Sequence, residues 1–213
     1  MRLLDLFCGA GGAAVGYHRA GFEVVGVDIV HQPNFPFEFH RADALEYCRL
    51  HGHEFDVIHA SPPCQRYSRA TKQSGTSLDH PDMIYPTRKA LLAAGRPYVI
   101  ENVADAWPYL IDPITLCGGM FPPLFTYRHR LFESSVKLVA PTHKPHLLRT
   151  PRSNVFVEGC FMTIYGHVSP VAKAREAMGI DWYMTQRETV NAIPPAYTEF
   201  IGRQLARQSR HPG

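Results

Sequence analysis

The sequence predicts an α/β fold of the Rossmann-like, doubly wound type, with a mostly parallel sheet and helices on both faces. Short apolar runs alternate with helical patterns through the first half of the 213-residue chain. This alternation is typical of βαβ units, in which a helix returns the chain to the next parallel strand. Ligands in such sheets bind beyond the carboxyl ends of the strands. The unusual segments CGAGG, VDI, SPPC and ENV each follow a predicted strand, so we expect the functional site there.

The alternation gives four strands and three helices before Asn102, and two further helices near the end. The predicted strands are Leu3–Phe7, Glu23–Val27, Asp56–Ala60 and Pro97–Ile100. The predicted helices are Ala13–Ala20, Ala42–His51, Met83–Ala94, Val171–Met178 and Ala196–Gln208. Between the two groups the chain is rich in proline and glycine, which favours irregular structure.

Composition favours one globular domain over residues 1–213. The chain is 45% hydrophobic and 19% charged, and its net charge of +3 is compatible with an anionic partner without requiring one. The opening MRLLDLFCGAGG is neither a signal peptide nor a membrane span in pattern, so we expect a cytoplasmic protein with no membrane contact. Five cysteines without a CxxC pair indicate reduced thiols.

The spacing of the histidines in the sequence does not predict a metal site. His51 and His53, and also His143 and His146, have ligand-like separations, but no accompanying Cys/His cluster completes a set of four ligands. We therefore expect solvent-facing histidines and no bound metal.

A glycine-rich turn follows the first strand in DLFCGAGG. Gly9, Gly11 and Gly12 would let a ligand approach the backbone at the amino terminus of a helix, although a tight packing turn is the alternative. Asp28 follows about 20 residues later, where a carboxylate can accept hydrogen bonds from a ribose diol. Asp43 is placed either to meet an adenine amino group or to cap the helix that begins at Ala44. The turn is not a clean GxGxxG, which favours a nucleoside ligand over a dinucleotide.

Cys64 in HASPPCQRYS has the features of a nucleophile. Such a thiol must be partly exposed, held in place and lowered in pKa. Pro62 and Pro63 fix two backbone angles, and free N–H groups of the turn would favour the thiolate. The other cysteines are interpreted as buried apolar residues; they are Cys8, Cys48, Cys117 and Cys160.

Five motifs occur in a characteristic order: DLFCGAGG, SPPCQ, ENV, YRHR and NAIPP. Together they extend over nearly the whole chain and resemble those of the cytosine carbon-5 methyltransferases. The resemblance implies the class I methyltransferase fold, S-adenosylmethionine as cofactor with S-adenosylhomocysteine as product, and a covalent mechanism at a cytosine ring. Two positions depart from the family, since Asp28 stands where most relatives carry Glu and Val190 where most carry Gly.

The resemblance also implies catalytic roles. Cys64 would add to carbon 6 of cytosine, and Glu101 would hydrogen-bond or protonate ring nitrogen 3. Arg128 and Arg130 would face one side of an extended segment, with Arg130 on the base carbonyl oxygen and Arg128 on a phosphate or a neighbouring side chain.

The remaining expected contacts divide between cofactor and substrate. The cofactor set is Asp5, Phe7, Cys8, Gly9, Ala10, Gly11, Gly12, Asp28, Ile29, Asp43, Ala44, Pro62, Asn191 and Ala192. The substrate set is Ser61, Pro63, Gln65, Ser68 and Asn102. Phe7 would flank the adenine and Asn191 would close the pocket. Gln65 and Ser68 could instead cap the segment at Arg69.

A short basic insert, 134–173, stands where DNA-acting relatives carry a large target-recognition region. Its charged and aromatic residues are Lys137, Lys144, Arg149, Arg152, Lys173, Glu158, Phe156, Phe161 and Tyr165. They suit a nucleic-acid backbone with a stacked base, or simply a solvated loop. Duplex DNA, single-stranded nucleic acid and a free nucleotide (dCMP or dCTP) all remain open as acceptors. The alternative from another class is a cofactor-binding module that needs a protein partner for recognition. A methyltransferase with so short an insert would be expected in a small genome, such as that of a phage.

Overall fold

A computed structural model describes residues 1–151 and 154–210. Its strands are β1 (Arg2–Leu6), β2 (Glu23–Asp28), β3 (Glu38–Arg41), β4 (Val57–Ala60), β5 (Tyr98–Val103), β6 (Ile114–Leu116) and β7 (Arg130–Ser134). Its α-helices are α1 (Gly12–Arg19), α2 (Ala44–His51), α3 (Arg69–Ser74), α4 (Ile84–Ala94), α5 (Val171–Ala177), α6 (Gln186–Asn191) and α7 (Pro195–Arg210). No helix in the described ranges is both long enough and apolar enough to cross a membrane.

The strands form a seven-stranded sheet in the order β3-β2-β1-β4-β5-β7-β6. The first five strands are mutually parallel, whereas β7 runs antiparallel to both β5 and β6. The chain builds outward from β1 to β3 and then returns to place β4 on the other side of β1. A crevice opens at such a reversal, at the carboxyl ends of the strands. The predicted α/β fold is confirmed.

Apolar cores lie on the two faces of the sheet. Successive strand residues point to opposite faces, so Leu3 belongs to the core under α1 and α7, and Leu4 to the core under α2 and α4. Helices α1 and α7 pack unusually closely. A Cβ added at Gly16 would lie 2.1 Å from the carbonyl oxygen of Pro195, so this contact requires glycine.

The antiparallel end of the sheet differs from the sequence prediction. Strands β6 and β7 were not predicted, and ENV lies inside β5 instead of following a strand. The reason is that β7 pairs with β5 as far as Val103, which is opposite Arg130. Pairing with a distant segment extends a strand beyond what its own apolar run indicates.

The segment expected as a basic insert has little regular structure between β7 and α5. One isolated bridge joins Val155 to Ser169. Met162 and Ile164 are buried in a third cluster with Met178, just after α5. Arg152, expected among the basic residues, lies outside the described residues.

Candidate active site

A cavity of about 550 Å³ opens at the carboxyl ends of β1, β2, β4 and β5. This volume is in the range of small-molecule and cofactor sites. Residues from the segments 5–13, 28–32, 61–65, 101–103 and 185–193 line it, together with Arg130. The cavity therefore lies at the edge of the sheet that the sequence indicated.

Most of the expected site residues line this cavity. They are Asp5, Phe7, Cys8, Gly9, Ala10, Gly12, Asp28, Ile29, Ser61, Pro62, Pro63, Cys64, Gln65, Glu101, Asn102, Arg130, Asn191 and Ala192. Five others, all within the described part of the chain, are outside the lining: Gly11, Asp43, Ala44, Ser68 and Arg128.

Cys64, Glu101 and Arg130 meet in one part of the cavity lining. Arg130 Nε lies 3.0 Å from Glu101 Oε1, and Glu101 is only 6% exposed. Burial raises the pKa of Glu101, although Arg130, a hydrogen bond from Ser61 and Arg128 act in the opposite direction. The carboxyl group is thus adapted to hold a proton at a higher pH than an exposed glutamate would.

The loop that carries Cys64 is fixed by backbone and side-chain hydrogen bonds. Asn102 Nδ2 donates to the carbonyl oxygen of Pro62 at 3.0 Å, which ties the ENV segment to SPPC. The N–H groups of Tyr67 and Ser68 donate to the carbonyl oxygen of Cys64 at 2.9 and 3.0 Å. The thiol is consequently held at a defined position in the cavity.

The prediction of a lowered pKa at Cys64 is wrong for the protein without ligands. Burial raises the pKa of this thiol, and the opposing effect of the Arg130 charge is smaller. Glu101 adds a further increase. The free-energy cost of burying a thiolate here exceeds the favourable interaction of that thiolate with the Arg130 guanidinium group. The Cys64 side chain is therefore protonated before the substrate binds.

A buried hydrogen-bond chain behind Glu101 was not predicted. Tyr17 Oη lies 3.0 Å from His59 Nδ1, and His59 Nε2 lies 2.9 Å from Ser61 Oγ, which in turn hydrogen-bonds Glu101. Burial lowers the pKa of His59 to about 3, so the imidazole is neutral. The available sequence signal was the spacing of His59 and Ser61, which places both on one face of an extended chain.

The cofactor side is built around the turn after β1. Phe7 has a φ of 58°, an uncommon value for a residue other than glycine and one that clusters at functional sites. Asp28 accepts hydrogen bonds from Gly9 N at 3.1 Å and Val30 N at 2.9 Å, which orders the rim of the cavity.

Asp5 is a fully buried acid in this lining. Among the residues that the structure describes, only the backbone N–H of Ala14 acts on its carboxylate as a hydrogen-bond donor, and it meets neither oxygen with regular geometry. Burial, and then the charge of Asp28, raise its pKa well above the usual range, and the Ala14 N–H opposes them only in part. A buried carboxyl group with so little hydrogen bonding at a cavity wall is suited to a cationic or hydrogen-bond-donating ligand.

Arg128 does not face the cavity beside Arg130, as expected of an extended segment. Its φ is 28°, and its guanidinium group is buried against backbone carbonyl oxygens. Nε donates to Ala192 at 2.8 Å, and the two terminal nitrogens donate to Ile164 at 2.7 Å and Val190 at 2.6 Å. The expectation of an extended segment is wrong because these contacts turn the side chain toward the start of the NAIPP motif.

The sequence left open whether Asp43 and Ser68 contact a ligand or cap a helix, and in the structure both cap a helix. Asp43 Oδ1 accepts hydrogen bonds from the N–H groups of Leu45 and Glu46, both at 2.9 Å, and so caps α2. Ser68 Oγ accepts from Thr71 N at 3.4 Å and caps α3.

Three lining residues near α6 were missed. Thr185, Arg187 and Glu188 line the cavity beside Asn191. Thr185 and Glu188 form a capping box at the start of α6. The TxxE spacing was a usable signal for a helix start, but not for proximity to the cavity.

The expectation that no Cys/His cluster accompanies the paired histidines is wrong. Cys117 and His129 lie with His143 and His146, and one potential ligand atom from each falls within 4.8 Å of the others. The cluster depends on the antiparallel β6–β7 pairing, which the sequence did not reveal.

Solved structures with a similar fold are methyltransferases. The chain superimposes over 99% of its length on the Entamoeba histolytica methyltransferase EhMeth (TM-score 0.64, 12% identity, 99% of that chain). It matches the Schizosaccharomyces pombe Dnmt2 methyltransferase to the same extent (TM-score 0.61, 12% identity, 99% of that chain). At this identity the likeness concerns the fold, which is that of the class I S-adenosylmethionine-dependent methyltransferases.

Sequence comparison gives the family. Residues 1–106 match the model of the C-5 cytosine-specific DNA methylases. Two type II methyltransferases of Herpetosiphon aurantiacus, M.HgiGI and M.HgiDI, are each 33% identical to this chain over an alignment of 118 positions that covers 50% of the chain. The match covers 93% of M.HgiGI but only 38% of M.HgiDI. The chain belongs to the C-5 cytosine-specific DNA methylase family.

Proposed function

We propose that the protein transfers a methyl group from S-adenosylmethionine to carbon 5 of cytosine in DNA, through a transient bond between Cys64 Sγ and carbon 6. The observation that carries this proposal is the meeting of Cys64, Glu101 and Arg130 in the lining of one cavity, with Arg130 Nε 3.0 Å from the Glu101 carboxylate. This set combines a nucleophile, a proton donor and a cation for an anionic or carbonyl oxygen.

The residues on the cofactor side fit S-adenosylmethionine. The buried carboxyl group of Asp5, which has only a poorly aligned backbone donor, suits the cationic part of that molecule, and Asp28 at the rim can accept hydrogen bonds from ribose hydroxyls. Phe7 offers an aromatic face for the adenine. When bound, the cofactor supplies an electrophilic methyl group.

The chain's own residues account for the activation of cytosine. Cys64 gives up its thiol proton to solvent, which the Arg130 charge assists, and the sulfur bonds to carbon 6 of the ring. The displaced ring electrons reach nitrogen 3, where Glu101 donates the proton that its raised pKa retains. Carbon 5 then becomes nucleophilic enough to accept the methyl group. Loss of the carbon 5 proton to a water molecule, return of the nitrogen 3 proton to Glu101 and cleavage of the carbon–sulfur bond restore the ring and release Cys64.

DNA is the acceptor that we propose, with a free cytosine nucleotide or a single strand as the alternative. The family model, whose description names DNA, supports this choice. We also propose that 1–213 acts as one catalytic domain, in which segment 134–173 replaces a full recognition region. Flipping a base out of a duplex costs a few kcal/mol, so a segment this small could depend on a partner protein.

A substrate panel tests the function. Transfer of a tritiated methyl group should be measured on duplex DNA, single-stranded DNA, dCMP and dCTP. We expect incorporation into duplex DNA that falls steeply with salt, no incorporation by Cys64→Ala, and retained S-adenosylmethionine binding in that variant. Cys160→Ala is the matched control, because Cys160 is a partly exposed free thiol outside the cavity. Undiminished turnover by Cys64→Ala would refute the mechanism.

A further inference from the structure

Four side chains of metal-ligand type converge at the loop end of the β6–β7 hairpin. Cys117 follows β6, His129 precedes β7, and His143 and His146 come from the segment after β7. We propose that these four residues bind one zinc ion. The site lies outside the cavity described above, and its assignment is independent of the chemistry at Cys64.

The distances between the ligand atoms fit a tetrahedral zinc site. His143 Nε2 lies 3.2 Å from both His129 Nε2 and His146 Nε2, and Cys117 Sγ lies 3.4 Å from His146 Nε2. Zinc–nitrogen bonds of about 2.05 Å and a zinc–sulfur bond of about 2.3 Å imply tetrahedron edges of about 3.3 Å between nitrogens and about 3.6 Å between nitrogen and sulfur. These three edges agree with the expected values within a few tenths of an ångström, and the other three are no longer than 4.8 Å.

Hydrogen bonding within the cluster accounts for this convergence poorly. A neutral imidazole nitrogen offers either one hydrogen or one lone pair, whereas His143 Nε2 faces two other Nε2 atoms at 3.2 Å. A single cation at the centre would engage all four ligand atoms at once. Cys117 would bind as the thiolate and release its proton to solvent.

The fold itself brings the ligands together. Leu116 is the register partner of Arg130, so the next residues outward, Cys117 and His129, face each other across the hairpin. The Tyr127 ring stacks on His146 with centroids 3.6 Å apart and planes 9° from parallel. Tyr127 Oη also accepts from Leu148 N at 3.1 Å and donates to Leu148 O at 3.0 Å. These contacts hold the imidazole of His146 in a fixed orientation, as outer-shell residues do for metal ligands.

The ligand set identifies the metal and its role. One sulfur and three imidazole nitrogens favour zinc among the common divalent ions, and four protein ligands leave no open position for a substrate. We therefore infer a structural ion. It would fasten the segment around residues 143–146, which has no helix or strand, to the hairpin. His129 lies between Arg128 and Arg130, so the ion would also fix the backbone that presents both arginines.

Metal analysis of the full chain, purified without a histidine tag, tests this assignment. We expect about one zinc ion per chain for the wild type and less than a tenth of that for the double variant His143→Ala/His146→Ala. Both replaced residues are exposed, so the fold should persist, which circular dichroism would verify. His53→Ala is the control, an exposed histidine remote from the cluster in sequence, and it should keep its zinc.

Cobalt substitution gives a second, independent readout. The wild-type chain loaded with Co²⁺ should show the visible bands of a tetrahedral site together with a sulfur-to-cobalt charge-transfer band. Cys117→Ser should lose the charge-transfer band, and Cys160→Ser should keep it. Less than a tenth of an equivalent of zinc in the wild type after exposure to zinc, or full zinc content in the double histidine variant, would overturn the proposal.

Discussion

Two regions of the molecule differ in how far their functional residues can be identified from local sequence. One is the carboxyl edge of the parallel strands. The other is the β6–β7 hairpin together with the segment that follows it. At the parallel edge, the functional side chains occur in short contiguous motifs, such as SPPC and ENV, that end or follow one strand. At the hairpin, Cys117 and His129 face each other because β6 pairs antiparallel with β7, and His146, 29 residues after Cys117, joins them from the segment that follows β7. Local motifs therefore identify the residues of the cavity, whereas the Cys/His cluster at the hairpin depends on contacts between residues that are distant in the sequence.

Replacing the acid of the parallel edge should have the largest effect. Glu101→Gln removes the proton donor for ring nitrogen 3, and general acid catalysis of this kind contributes about 10²–10⁴-fold. We expect the single-turnover rate of methyl transfer to fall by that factor while cofactor affinity changes little. Glu46→Gln, on an exposed face of α2, should leave the rate unchanged, and a similar loss in both variants would contradict the assigned role.

The same variant gives a pH test. Because the pKa of Glu101 is raised, the reactive protonated form is present below that raised pKa and is lost as pH rises through it. The wild-type rate should thus decline on the alkaline side of the Glu101 pKa, and this decline should be missing in Glu101→Gln. An identical pH profile for the two proteins would exclude Glu101 as the proton donor.

Arg128 connects the two regions, and its loss should weaken both. Arg128→Ala leaves the carbonyl oxygens of Ile164, Val190 and Ala192 without their donor. At about 1 kcal/mol for each unsatisfied group, we expect the free energy of unfolding to fall by about 3 kcal/mol.

Urea unfolding with and without S-adenosylmethionine measures both consequences. Cofactor affinity should also drop, because Asn191 and Ala192 line the cavity. Lys89→Ala, an exposed change on α4, should stay within about 0.5 kcal/mol of the wild type. An Arg128→Ala protein as stable as Lys89→Ala would contradict the positioning role.

Replacement of Asp5, at the carboxyl edge of the parallel strands, should have opposite effects on the stability of the protein and on its affinity for the cofactor. Asp5→Asn should weaken S-adenosylmethionine binding about 10- to 100-fold, the range for a lost charge-assisted hydrogen bond of about 1.5–3 kcal/mol. The ligand-free variant should nevertheless be more stable at neutral pH. The folded-state pKa of Asp5 is raised, so the wild type loses stability as pH rises from the ordinary value near 3.8 to the raised one.

Calorimetric titration and urea unfolding across this pH range would separate the two effects. The Asn variant should lack the decline in stability because its side chain does not titrate. Asp56→Asn, at an exposed acid that pairs with Arg2 N, is the control and should bind the cofactor like the wild type. A variant that loses stability and keeps its affinity would contradict the account of Asp5.

Most of the parallel edge could be predicted because four of its five strands carry an apolar signal of their own, which β3 (Glu38–Arg41) lacks. The predicted strand Glu23–Val27 differs from β2 by one residue, and the predicted helix Ala13–Ala20 differs from α1 by one at each end. Cys64, Glu101 and Arg130 do share one cavity. Apolar periodicity and glycine or proline turns act over a few residues, which is the range that a sequence pattern displays.

The remainder depended on contacts that no local pattern contains. Arg128 could face the cavity or the NAIPP motif, and the carbonyl groups of Ile164, Val190 and Ala192 decide between them. The pKa of Cys64 depends on how much water the folded cavity admits, and burial outweighs the arginine charge. From the sequence, Cys117 is interpreted as an ordinary buried thiol, and its place beside His129 is visible only from the pairing of β6 with β7.

The central claim is the covalent bond between Cys64 and the pyrimidine, and trapping that bond tests it most directly. Duplex DNA containing 5-fluorocytosine, incubated with the protein and S-adenosylmethionine, cannot complete elimination, because fluorine does not leave carbon 5 as the proton does. Mass spectrometry should then find a stable adduct of methylated base on the peptide that contains Cys64. Turnover on ordinary cytosine DNA with no adduct at Cys64 on the fluorinated duplex would contradict the account.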